Sequence, residues 1–186
     1  MADADQTWRD AILSFWFDEV GPQQWFTSDP TLDEAIRRRF LATHEAIAAD
    51  FDLAANMVSP RQALATVIVL DQLPRNLFRG TPRAFATDPL ALLVAAEAVG
   101  RGLDRALEPP QRMFLYLPFE HSEAIADQDR SVELIGSLGD ARWLAYAHAH
   151  RDIIARFGRF PHRNAINGLA STSEEQAFLQ QPDSSF

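Results

Sequence analysis

Residues 59–76 read SPRQALATVIVLDQLPRN, and three features of that stretch decide the fold. Ser59 followed by Pro60 is a helix start, because a serine hydroxyl satisfies an orphan N–H of the first turn and the fixed φ of proline suits that turn. Ala63 to Leu70 is apolar on every side except at Thr66, the pattern of a helix buried all round. Arg61 to Gln72 is therefore predicted to be a central helix. Leu73-Pro74 is predicted to stop it, since proline lacks the N–H that the preceding turn needs.

The same punctuation recurs on both sides. Upstream, Thr7 reads as an N-cap with Asp10 three residues later, and Trp8, Ala11, Ile12, Phe15 and Trp16 fall on one helical face that ends at Gly21-Pro22. Asp29-Pro30 opens a second helix with Leu32, Ile36, Phe40, Ile47 and Phe51 on one stripe. Downstream, helices are predicted from Asp88-Pro89 to about Gly100, from Pro109-Pro110 to Tyr116, over Glu120 to Leu138, and over Asp140 to Phe157 with Gly158 as the stop. A last helix starts at Ser171, with Glu174 completing a capping box, and ends before Pro182. No segment shows the alternation of a half-buried strand. The fold class is all-α, about eight helices in stacked antiparallel hairpins, with residues 1–186 as a single helical domain.

Composition narrows the chemistry. All 17 basic side chains are arginine, and lysine and cysteine are both absent. Schiff-base chemistry, a P-loop lysine, thiol catalysis, cysteine-type zinc sites and disulfides are excluded with them. A net charge of −9 repels phosphate backbones at long range, so no nucleic-acid partner is expected. The longest apolar run falls far short of the ~20 residues that cross a bilayer, and the N-terminus carries Asp3 and Asp5 where a secretion signal carries positive charge. No membrane association and a cytoplasmic location are expected.

Three apolar-proline pairs are spaced almost evenly: Leu73-Pro74, Leu117-Pro118 and Phe160-Pro161, 44 and 43 residues apart. That period is close to one helical hairpin of the ~40 to 47 residue repeats. Each proline is followed by polar residues: Arg75-Asn76, Glu120-His121, and His162-Arg163-Asn164. If hairpins stack in register, these corners share one edge and can converge. Alternatively, proline stops helices and polar residues cap the ends.

Chemistry-bearing residues cluster at the same places. Arg75 and Arg79, four apart, can present two guanidinium forks to a carboxylate or phosphate, and Asp71 can equally pair with Arg75. His121 lies between Glu120 and Glu123, a setting that favours imidazolium and makes His121 a candidate general acid or base, with Glu123 its candidate partner. Residues 141–170 hold five arginines against the single acid Asp152, while residues 120–133 hold five acids against Arg130, so the two segments can neutralise each other. His148 and His150 splay to different faces, HEXXH is missing, and neither a metal nor a cofactor is expected.

The motifs LDQLPRNLFRG, FLYLPFEHSE with DQDRS, and RFGRFPHRNAINGLASTSEE resemble the bacterial family known as domain of unknown function 924, over almost the whole chain. The resemblance implies a helical fold similar to tetratricopeptide repeat proteins, an α-α superhelix, and no particular reaction, cofactor or partner. The last family motif usually closes with Leu-Gly-Arg, whereas Asn167, Gly168 and Leu169 stand here.

The function expected from these residues is binding of a small anionic metabolite, with acid–base or hydrolytic chemistry at His121. Arg75, Arg79, Arg159, His162 and Arg163 would grip the anion, and Asn76 and Asn164 would orient it. The rival expectation is a protein-interaction module whose arginines clamp a protein or peptide carboxylate without catalysis.

Overall fold

The computed structural model describes residues 2–182 and Ser184, and of residues 2–7 the backbone alone. Among the described residues there is no strand. The helices are α1 (Ala2–Ser14), α2 (Pro30–Ala49), α3 (Pro60–Val67), α4 (Leu73–Leu77), α5 (Asp88–Gly100), α6 (Pro109–Glu120), α7 (Ile125–Gly136), α8 (Ala141–Phe157) and α9 (Ser173–Leu179). A wider π turn, Ile68–Gln72, joins α3 and α4 into one rod. The chain is thus all-α with about eight helical rods.

Local chemistry explains most boundaries. Asp29 Oδ1 accepts the N–H groups of Thr31 and Leu32, Ser59 Oγ accepts that of Gln62, and Asp140 Oδ1 accepts those of Arg142 and Trp143. Each such cap stabilises its helix by about 1 kcal/mol. Gly158 closes α8 at φ 68°, a left-handed conformation that residues with a Cβ avoid. Several ends lie away from their predicted places, among them the start of α7, at Ile125 rather than Glu120, because α6 runs on to Glu120. α1 starts at Ala2 rather than Thr7, and the capping box of α9 is built by Thr172 and Glu175, one residue beyond Ser171 and Glu174. The Thr7 side chain lies outside the described residues.

The predicted stops at Pro74 and Pro118 are overturned, because the helical rods run through both prolines. Pro74 is tolerated because the π turn frees successive carbonyls and side chains supply the missing donors. His44 Nδ1 donates to Val69 O at 3.0 Å, Thr87 Oγ1 to Leu70 O at 2.5 Å, and the Arg75 guanidinium to Asp71 O. The Leu70 carbonyl is the one that residue 74 would bond in a regular helix. A proline that ought to break a helix instead creates a lined polar turn.

Two compact units form: residues 1–79 with 83–118, and residues 80–82 with 119–186, the boundary falling inside α6. In the first, Ala63 to Leu70 is fully buried, as its unbroken apolar character requires, and α1, α2 and α5 pack around that rod and its continuation. Phe15 and Trp16 are buried with it, while Phe17 turns aside to pack edge-on against Trp25 and Phe114. In the second, α7 and α8 pack side by side across a short link, and Ile153, Ile154 and Phe160 form a core with Phe157 and Phe178.

Candidate functional site

Arg75, Asn76 and Arg79 lie in the first unit, and protein carboxylates engage all three. Arg75 grips Asp88 through Nη1 and Nη2 at 3.0 and 3.1 Å, and Nη1 stands 3.3 Å from Asp71 Oδ1. Asp71 is fully buried, and its other oxygen accepts from Gln72 Nε2 at 2.5 Å. Asn76 Nδ2 donates to Asp33 Oδ1 at 2.8 Å, and Arg79 holds both Asp33 oxygens at 2.9 Å. Partial burial opposes the charge on Asp33, but the hydrogen bonds from Arg79 and Asn76 win and keep its carboxyl below the usual range. The forks predicted for a ligand are closed on internal acids, an arrangement that locks α2 to the rod.

The polar residues that follow the second and third prolines meet inside the second unit. Glu123 Oε1 accepts the Phe160 backbone N–H at 2.8 Å, which ties the segment after α6 to the 3-10 turn Pro161–Arg163. Around the buried Phe160 ring stand His150 at 5.7 Å, His162 at 5.7 Å and the Arg163 guanidinium at 4.6 Å. His121 lies 6.3 Å from His150, ring centre to ring centre. His121 and His162 are half-buried, whereas His150 and Arg163 are buried. Arg159 and Asn164 serve the neighbouring turn instead: Arg159 holds Glu175 at 2.6 and 2.8 Å, and Asn164 Nδ2 donates to Ser171 Oγ at 3.0 Å. Hydrogen bonds from Arg159, then from the Thr172 backbone, hold the Glu175 carboxyl down to about 2.

His150 and Glu120 are functional candidates that sequence reasoning missed. The His150 Nδ1 lies 2.9 Å from Tyr146 O and 3.2 Å from Glu120 Oε1. A carbonyl can only accept, so Nδ1 carries the proton. Ser131 Oγ is 3.5 Å from the other Glu120 oxygen, and Gln128 Nε2 fixes the backbone by donating to Glu120 O and Ser122 O. Burial pushes the imidazole of His150 down to about 3, and the positive charges of His121, Arg163 and His162 push in the same direction. His150 is thus a buried imidazole oriented by a carboxylate, with Arg163 and two further histidines in its surroundings. The signal was readable on α8, where Ala147, His150 and Ile154 fall on one buried stripe.

The basic segment is otherwise neutralised by acids, as the charge pattern allows. Arg151 pairs with Asp129 at 2.6 Å and Arg156 with Glu174 at 2.8 Å. Among the described residues no three His, Asp or Glu side chains are placed to hold a metal ion, and no helix is long and apolar enough to cross a membrane.

A model of a bacterial family of unknown function, DUF924, matches residues 12–183. The chain belongs to this family. Among solved structures, a protein of unknown function from Agrobacterium tumefaciens is similar in shape and sequence, 42% identical, with a TM-score of 0.88, the match covering 94% of this chain and 98% of that one. None of the curated proteins matches. Membership in DUF924 thus carries the fold and leaves the chemistry to the residues.

Proposed function

We propose that this DUF924 protein binds a small anionic metabolite in its second unit, with His121, His162 and Arg163 as the grip and His121 as the group that exchanges a proton with the ligand. One observation carries the reading: two histidines and an arginine, His150, His162 and Arg163, stand about the Phe160 ring, and a third histidine, His121, stands 6.3 Å from His150. An anion would draw on the positive charge of Arg163, and imidazole is the side chain whose proton moves near neutral pH. Glu123 and Asn164 act by holding the turn that presents His162 and Arg163. The Arg75, Asn76 and Arg79 corner supplies scaffold.

A thermal-shift screen of anionic metabolites tests the reading, since a ligand that binds only the folded state raises the melting temperature. Arg163→Gln and His121→Ala are expected to fold and to lose the shift given by the anion that raises the parent. A parent that no anion shifts, or variants that keep the shift, contradict it. A second reading, docking of a peptide, is favoured by a groove of about 630 Å³ in the first unit, lined by Trp8, Ala42, Ala46, Ile47, Asp50 and Asp52. Binding of peptides lost on Ala46→Arg, with no metabolite shift, supports that one instead.

A further inference from the structure

We propose that the groove in the first unit docks a segment of a protein partner that carries an arginine or lysine beside an apolar residue. The inference rests on the docking reading of that groove and is independent of the anion site in the second unit. The groove holds about 630 Å³, inside the roughly 300–1,000 Å³ range of pockets that take a few side chains. Trp8, Ala42, Ala46, Ile47 and Ala55 make its apolar wall, and its charged lining residues are Arg9, Asp50 and Asp52. Ala42, Ala46 and Asp50 follow one another at four-residue intervals and are all exposed, so they form one open track along α2. That track rises about 12 Å, a length that an extended chain covers with about four residues. The two alanines let the backbone of such a chain come close.

Charge selects the occupant. α2 ends at Asp50 with no basic residue in its last turn, so the negative end of the helix and its last carbonyls meet no cation from α2 itself. The Asp50 carboxylate adds a full charge at that end, and among the described residues its side chain forms no hydrogen bond or ion pair. Asp52 Oδ1 accepts the N–H groups of Ala54 and Ala55 at 2.9 and 3.2 Å, and Asn56 Nδ2 donates to Asp52 O at 2.7 Å. These bonds fix the turn that carries the second acid and leave Oδ2 for an incoming donor. Arg9 lies over the Trp8 ring at 4.7 Å, as part of the α1 wall. A guanidinium or ammonium head thus meets two carboxylates and a helix C-terminus together, while the apolar neighbour packs against Trp8 and Ile47. An acidic partner would set like charges opposite each other, which costs affinity.

Selection of displayed random octapeptides on the whole chain, followed by fluorescence anisotropy of the enriched peptides, tests the assignment. Peptides whose binding is lost on Ala46→Arg, or on Ala42→Arg one turn earlier on the same track, are the ligands of the groove. They are expected to carry Arg or Lys next to Leu, Ile, Phe or Trp. Asp50→Arg is expected to weaken each of them at least about tenfold, and Glu97→Gln, a change at an exposed acid of α5, to leave them unchanged. Groove peptides without a basic residue, or unmoved by Asp50→Arg, overturn the proposal and leave the docking reading standing. Argininamide that binds as tightly as the enriched peptides overturns the protein-partner assignment in favour of a free organic cation. No enriched peptide sensitive to either arginine substitution overturns both the proposal and the docking reading.

Discussion

Glu123 Oε1 accepts the Phe160 backbone N–H at 2.8 Å across 37 residues of chain, so the residue after the second proline corner fixes the turn of the third. Nothing in the local sequence of either segment specifies the other. Loss of this bond leaves a half-buried N–H without its acceptor, which costs about 1–3 kcal/mol. Glu123→Ala is expected to lower stability in urea unfolding by about 1 kcal/mol, the lower end of that range because Glu123 itself is exposed. It is also expected to weaken anion binding although Glu123 faces no anion. Binding at parental strength in Glu123→Ala would show that the turn holds itself.

Asp71 accepts from Gln72 and Arg75 at zero exposure, whereas Asp88, the other partner of Arg75, is partly open to solvent. Breaking a buried pair by removing one partner typically costs about 3–5 kcal/mol. Asp71→Asn is expected at the lower end, about 3 kcal/mol, because Asp88 still holds the guanidinium. Asp88→Asn is expected to cost less. The opposite ranking in denaturant unfolding would move the weight of the network to the surface.

Thr87 stands in for the amide that Pro74 lacks. Thr87→Val deprives the buried Leu70 carbonyl of its donor and is expected to cost about 1–3 kcal/mol. Pro74→Ala restores an N–H at that place, so the double variant should be less destabilised than the sum of the singles. Strict additivity in a double-mutant cycle would refute the substitution of hydroxyl for amide.

Burial holds His150 neutral down to about 3 against an ordinary value of 6.5. Between those values the unfolded chain binds a proton that the folded chain refuses, so stability falls as pH drops through that window. His44, also lowered by burial, acts in the same direction, and Glu175, depressed from 4.5 to about 2, adds its loss only below about pH 4.5. Glu120 faces His150 with a carboxylate and moderates the effect without reversing it. His150→Gln is expected to flatten the slope between about pH 6.5 and 4.5 in thermal unfolding. An unchanged slope would mean that His150 titrates normally.

Helix starts at Asp29, Ser59 and Asp140 and the stop at Gly158 were legible because the chemistry that sets them lies within three residues. So was the burial of Ala63–Leu70, since no polar face was available to turn outward. Pro74 misled for a physical reason: the donors that rescue its carbonyls, His44 and Thr87, come from other helices, 25 and 17 residues from their acceptors. The candidate site was half legible. His121, His162 and Arg163 stood out as polar corners beside prolines, but the Glu120–His150 pair spans two helices with no local spacing to announce it.

The central claim is that His121 and His162 face an anion that His44 and His148 do not. Histidine side-chain NMR, titrating the five imidazoles with inorganic phosphate at constant pH near 6.5, tests it most directly. The account predicts that the His121 and His162 resonances move together with one saturating curve, shift toward the protonated form, and do so only while Arg163 is present, with His44 and His148 unmoved. Equal small shifts of all five histidines, or a saturating shift confined to His44 or His148, would contradict it.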